Sequence, residues 1–174
     1  LLDINNASTN GAVKIVDGTQ GEGKVLTSDA NGVATWRTKG PQTTQGTVPS
    51  ANQSWVSNSP LQYTGYSVSV PPGRSTVTAG LAVILPAMGY VTCRLSNSST
   101  SFSQPSGVVP NYSGFTTVAQ ATSTGQVMWY VDNSTSSNMT LYVWIVAGGG
   151  ANTTSNMTLG GSTAYGEAFI MVAY

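Results

Sequence analysis

Leu141-Tyr142-Val143-Trp144-Ile145 is apolar at every position. A β-strand turns successive side chains to opposite faces, so Leu141, Val143 and Ile145 share one side while Tyr142 and Trp144 share the other. One face can enter a core between two sheets; the other needs a second cover. The same double-sidedness recurs in Val127, Trp129 and Val131 against Met128 and Tyr130, and in Phe169 and Met171 against Ile170, Val172 and Tyr174.

Outward from these segments, alternation and β-branched content predict strands over Tyr63 to Val70, Ser75 to Leu85, Tyr90 to Ser96, Phe115 to Ala121, Gly125 to Val131, Thr140 to Ala147 and Glu167 to Tyr174. Pro71-Pro72-Gly73, Pro86-Ala87-Met88-Gly89, Ser103 to Asn111, Asp132 to Asn138 and Gly148 to Gly161 supply the turns. No segment has helical periodicity. The reading is all-β, with a β-sandwich or jelly-roll-like head over residues 61–174. An apolar face left outside such a head marks an interface. Full burial of each of its large side chains is worth roughly 1.5–3 kcal/mol, enough for a few of them to join subunits. Tyr142, Trp144, Met128, Tyr130, Phe169 and Met171 are therefore the candidate interface residues of a homo-oligomer. The competing expectation is that a loop, or the segment 41–60, covers the second face within one chain.

Charge divides the chain. Its 174 residues carry six Lys and Arg, six Asp and Glu and no His. Asp3, Lys14, Asp17, Glu22, Lys24, Asp29, Arg37 and Lys39 precede residue 40, leaving Arg74, Arg94, Asp132 and Glu167 for the remainder. This shift predicts a boundary near Gly40-Pro41. Residues 1–40 read as a β-rich stalk or attachment segment, and the Thr-, Gln-, Ser-, Asn- and Pro-rich residues 41–60 as an extended linker pinned by Trp55.

Several functions lose their usual residues. Zero net charge without a basic stripe gives nucleic-acid phosphates nothing to bind. No apolar run reaches the length that spans a bilayer, so no membrane insertion is expected. The missing histidine removes the usual general base and metal ligand, and Cys93, within Val91-Thr92-Cys93-Arg94-Leu95, reads as a buried strand residue. A glycosidase pair could only be Asp132 and Glu167, so a carbohydrate-active enzyme is the remote alternative. Asp17, Glu22 and Asp29 lack the spacing of a calcium loop. No cofactor or metal is expected. Leu1 in place of methionine reads as a processed terminus or the end of a fragment.

At the N-terminal end, the alternation of Ala12 to Val16 and of Lys24 to Thr27 predicts short strands. Asn31-Gly32 predicts a tight hairpin turn within Lys24 to Trp36. The loop Asp17-Gly18-Thr19-Gln20-Gly21-Glu22-Gly23 is rich in glycine, but Lys24 is followed by Val25, so the Lys-Ser/Thr pair of a phosphate-binding loop is absent. A hairpin of this size cannot enclose a core. It needs partners.

The run from Gly11 to Trp36, notably Lys14-Ile15-Val16-Asp17-Gly18-Thr19-Gln20-Gly21 and Gly23 to Trp36, resembles a motif of tail-fibre-like and surface proteins of Bacteroidetes and their phages. In those proteins a variable C-terminal domain follows. The resemblance covers about the first quarter of the chain and implies an extracellular place, on a virion tail or bacterial surface, and a homotrimer. The leading expectation is a non-enzymatic tail fibre or receptor-binding tip. A repeating subunit of a surface filament, assembled by strand addition, is the alternative.

Polar loops at Ser96 to Asn111, Asp132 to Asn138 and Ala151 to Thr163 are the natural contact surfaces for a host glycan or protein receptor. Trp55, Tyr63, Tyr112 and Tyr165 lie in or beside loops and are the candidate ligand contacts, with packing as their alternative role. Asn-X-Ser/Thr occurs at Asn6, Asn52, Asn97, Asn111, Asn133, Asn138, Asn152 and Asn156. The pattern reads as glycan acceptors or as clustered turn residues.

Overall fold

Alternation becomes strand wherever an apolar set can be buried on one side. The computed structural model describes residues 13–38, 40, 42–56, 60–85, 88–118, 121–148, 156–161, 166 and 168–174, and among them the structure is all-β. The chain divides into two compact units, Leu1–Pro41 and Gln42–Tyr174.

In the first unit, β1 (Lys24–Ser28) pairs antiparallel with β2 (Ala34–Thr38), Leu26 lying opposite Trp36. The turn is broader than the two-residue form expected at Asn31-Gly32. It runs over residues 29–33 because the Asp29 carboxylate accepts the amides of Asn31 at 2.9 Å and Val33 at 2.8 Å, while Gly32 takes φ +82°. Residues 13–16 form no strand; instead the Ile15 carbonyl accepts the Trp36 indole N–H at 3.2 Å. The glycine loop closes on itself, with Thr19 donating to Asp17 and Lys24 donating to the Thr19 carbonyl. Val13, Ile15, Val16, Val25, Leu26 and Val33 all remain exposed.

The second unit holds two antiparallel sheets. In one the order is β5 (Gln62–Val70), β11 (Met139–Gly148), β7 (Gly89–Ser96), β9 (Ser113–Thr117). In the other it is β3 (Thr43–Gln45), β13 (Phe169–Ala173), β6 (Gly73–Ile84), β10 (Thr122–Asn133), β8 (Val108–Val109), with β12 (Asn156–Leu159) joining β6 to β4 (Gln53–Val56). The longer strands alternate between the two sheets along the chain. Between the sheets, Val68, Val70, Leu95, Leu141, Val143 and Ile145 meet Val77, Leu81, Val127, Trp129, Val131, Ile170 and Val172 in one buried cluster.

The linker expected over 41–60 is instead part of the head's sheet. β3 pairs with β13, β4 pairs with β12, and the Thr47 and Ser67 backbones exchange hydrogen bonds of 2.7 and 3.0 Å. Polar residues serve here because an edge strand is held by its main-chain ladder. Two segments expected to be turns also carry strands: β8 lies within Ser103 to Asn111, and β12 within Gly148 to Gly161. The β10–β11 turn is organised by Asn133, which is buried. Its Nδ2 donates to the Val70 and Ser137 carbonyls, and its Oδ1 accepts from Thr135. Asn133 is thus a turn anchor.

Tyr66 is fully buried, its hydroxyl 3.4 Å from the Gly160 carbonyl, and burial pushes its phenol up to about 12. The unfolded phenol ionises near 10, so above that pH the unfolded state holds fewer protons and stability falls. Full stability is expected below about pH 10, with a decline from there to about pH 12. Chemical denaturation at stepped alkaline pH measures the slope, and Tyr66→Phe should flatten it.

Candidate functional site

The head has two outer sheet faces, and the chain treats them differently. On the sheet containing β10, β6 and β13, antiparallel register puts Met128, Thr78 and Met171 in one row, and Val109, Tyr130, Thr76 and Ala173 in the next. Their inward neighbours Val127, Trp129, Val131, Ile170 and Val172 fill the core, so the pleat forces this row outward. Tyr130 is 59% exposed and Met128 45%; Val109 and Met171 are exposed beside them, and Phe169 is half-buried. Four of the six expected interface residues therefore share one face, and Val109 joins them although its strand was read as a turn.

At one end of this face, a cavity of about 310 Å³ is lined by Arg74, Ser75, Thr76, Val109, Tyr130 and Asp132. Arg74 and Asp132 are cross-strand partners with Nε to Oδ2 at 3.7 Å, both exposed. In water such a pair contributes little to stability. The Ser75 hydroxyl is buried without a hydrogen-bond partner among the described residues.

On the outer face of the opposite sheet, the part around Trp144 is covered from within the chain. Trp144, expected at an interface, is buried: its indole N–H donates to the Ser98 carbonyl at 2.9 Å, and the Phe102 ring meets it edge-on at 6.1 Å. The physical reason is the segment 97–104, which turns back over the strand it leaves and supplies the second cover. Ser96 Oγ holds that segment by accepting the amides of Ser98 and Ser103 at 3.1 and 3.0 Å. Tyr142 is half-buried and packs edge-on against Tyr63 at 5.6 Å. Neither Tyr142 nor Trp144 belongs with the open face.

Tyr63 is accordingly a packing anchor, also 6.1 Å from Trp144, and burial raises its phenol above the usual value. Tyr112, by contrast, is 66% exposed. The Trp55 side chain and all of Tyr165 lie outside the described residues, as does Glu167, so the carboxylate pair with Asp132 has no described geometry. Cys93 is wholly buried, and burial raises its thiol far above the usual range, which disfavours the thiolate a nucleophile requires.

Arg94 was passed over in the reading of the sequence. Its Nε donates to the Asn111 carbonyl at 3.3 Å, its Nη2 donates to Gln104 Oε1 at 3.0 Å, and its guanidinium lies 4.4 Å over the Phe102 ring. Gln104 in turn donates to Asn111 Oδ1 at 3.0 Å. The available signal was an arginine placed within the apolar strand Val91-Thr92-Cys93-Arg94-Leu95.

No protein-family model matches the chain, and no curated protein matches it. Among solved structures, the chain is similar to the crystal structure of infectious bursal disease virus VP2 subviral particle, at 11% identity and a TM-score of 0.24. That similarity covers 86% of this chain and 45% of the VP2 chain, and at this TM-score it carries no argument about function.

Proposed function

We propose that this chain is a non-enzymatic structural and adhesion protein acting outside the cell, a phage-type tail fibre or receptor-binding tip assembled as a homotrimer. The observation that carries the reading is unpartnered apolar surface in both units. In the first, Val13, Ile15, Val16, Val25, Leu26 and Val33 stay exposed on a segment whose only ladder among the described residues is a two-stranded hairpin, and such a hairpin alone is at best marginally stable. In the second, Val109, Met128, Tyr130 and Met171 line one open sheet face. Identical copies supply the missing cover in both places at once. The resemblance of residues 11–36 to tail-fibre-like proteins supports the same reading and favours three copies.

A second reading, a filament subunit that grows by strand addition, is favoured by one feature: each strand of the β1–β2 hairpin has a single partner among the described residues. Such edges accept further strands. Light scattering of the full chain separates the two. The trimer predicts the mass of three chains, unchanged on dilution, whereas open polymerisation predicts a mass that rises with concentration. A stable monomer overturns both.

A further inference from the structure

We infer that the depression beside Arg94, on the sheet opposite the open apolar face, is a binding site for a carboxylate-bearing saccharide. Its floor is formed by Val146 and Thr92, which are cross-strand partners, together with Leu61; its wall is Arg94, Asn111 and Tyr112. Its volume is about 420 Å³, within the roughly 300–1,000 Å³ of small-molecule sites.

Charge singles out Arg94. The head sequence holds few charged side chains, and Arg74 is matched by Asp132. Arg94 is half-buried, and its hydrogen-bond acceptors are neutral: a backbone carbonyl and a glutamine amide. Among the described residues no carboxylate pairs with it. Those two bonds and the Phe102 ring fix the plane of the guanidinium, while Nη1 donates to nothing described. A guanidinium held in one orientation, uncompensated and with donors to spare, is preorganised for a carboxylate.

The surroundings select a sugar as the carrier of that carboxylate. Tyr112, the residue after the carbonyl that Arg94 holds, exposes its ring at the wall of the same depression. An aromatic face there and the aliphatic floor of Leu61 and Val146 suit the C–H face of a pyranose. Arg94 thus supplies the charge contact and Tyr112 the stacking surface. This inference deepens the adhesive part of the proposed function and rests on it. Oligomerisation uses the other sheet, so either can fail without the other.

Titration of the full chain with glucuronate, glucose and acetate, followed by NMR of the Tyr112 ring, tests the site. Glucuronate should shift the Tyr112 signals in a saturable way, with glucose and acetate each binding about tenfold more weakly or less. Arg94→Gln, followed on the Tyr112 ring, and, separately, Tyr112→Ala, followed by titration calorimetry beside the parent, should each weaken glucuronate binding by about tenfold. Tyr112 makes no hydrogen bond among the described residues, so Tyr112→Ala probes binding without loosening the Arg94 clamp, and the NMR signal of the Trp144 indole N–H, which donates to the Ser98 carbonyl, reports whether the segment 97–104 stays closed. The site is refuted if glucuronate leaves Tyr112 unshifted, if acetate binds as well as glucuronate, or if Tyr112→Ala binds like the parent.

Discussion

Tyr130→Glu should weaken the proposed homotrimer so that it dissociates into folded monomers on dilution. Tyr130 projects from β10 into the open row with Val109, Thr76 and Ala173, and it is 59% exposed in the single chain. Replacing it therefore disturbs little within one head, where surface changes usually stay within about 0.5 kcal/mol. At a subunit interface the same change places a carboxylate in an apolar contact and removes an aromatic ring. Leaving one charge buried without a partner costs roughly 3–5 kcal/mol, and symmetry repeats that cost in every copy. The expected result is the mass of one chain by light scattering on dilution, with an unchanged circular dichroism spectrum and a melting point lowered by the loss of subunit contacts. Tyr90→Glu is the control, because Tyr90 is similarly exposed on β7 of the other sheet and should leave the assembly intact. If Tyr130→Glu keeps the parent mass at every dilution, the open face contributes nothing that holds the copies together.

Gly46→Ala should destabilise the head on the order of 3 kcal/mol. Gly46 follows β3, and its amide donates to the Ile170 carbonyl at 2.8 Å. A Cβ at this position lies 2.2 Å from the Ser67 carbonyl oxygen, 2.8 Å from Ile170 Cγ2 and 2.9 Å from Val68 Cβ. Ser67 and Val68 are fixed by their pairing with Tyr142 and Leu141 of β11, so the obstacle cannot swing aside as a flexible side chain could. Either β5 shifts or the 42–48 segment leaves the sheet. A melting point lowered by roughly 10 °C is expected in calorimetry. Gly40→Ala has open space around the added carbon and should melt like the parent. Equal melting of Gly46→Ala and the parent places residues 42–48 outside the cooperative fold.

These two substitutions probe features that were unequally legible. The inward and outward sets of β10 follow from local alternation, because Val127, Trp129 and Val131 must share a face in any strand. No partner needs to be known to say so. Gly46 offers no such signal. Its closeness to Ser67 and Ile170 arises when segments remote in sequence meet, and Thr43-Thr44-Gln45 has no apolar pattern to announce a strand. The short strands β4, β8 and β12 were hidden for the same reason: β8 and β12 are placed by main-chain ladders on the longer β10 and β6, and β4 by its ladder on β12. Phe102, alone among serines in Ser98-Ser99-Thr100-Ser101-Phe102-Ser103, was the one sign that this loop could cover Trp144.

By itself the sequence determined an all-β chain whose strands carry apolar side chains on both faces, since strand geometry assigns those faces residue by residue. Tertiary structure decided which second face is sheltered. Trp144 is covered by a segment 46 residues earlier in the chain, while Tyr130 and Met128 meet no such segment among the described residues. Local periodicity specifies that a face must be covered, but only the folded path of the chain brings a distant loop within reach of it.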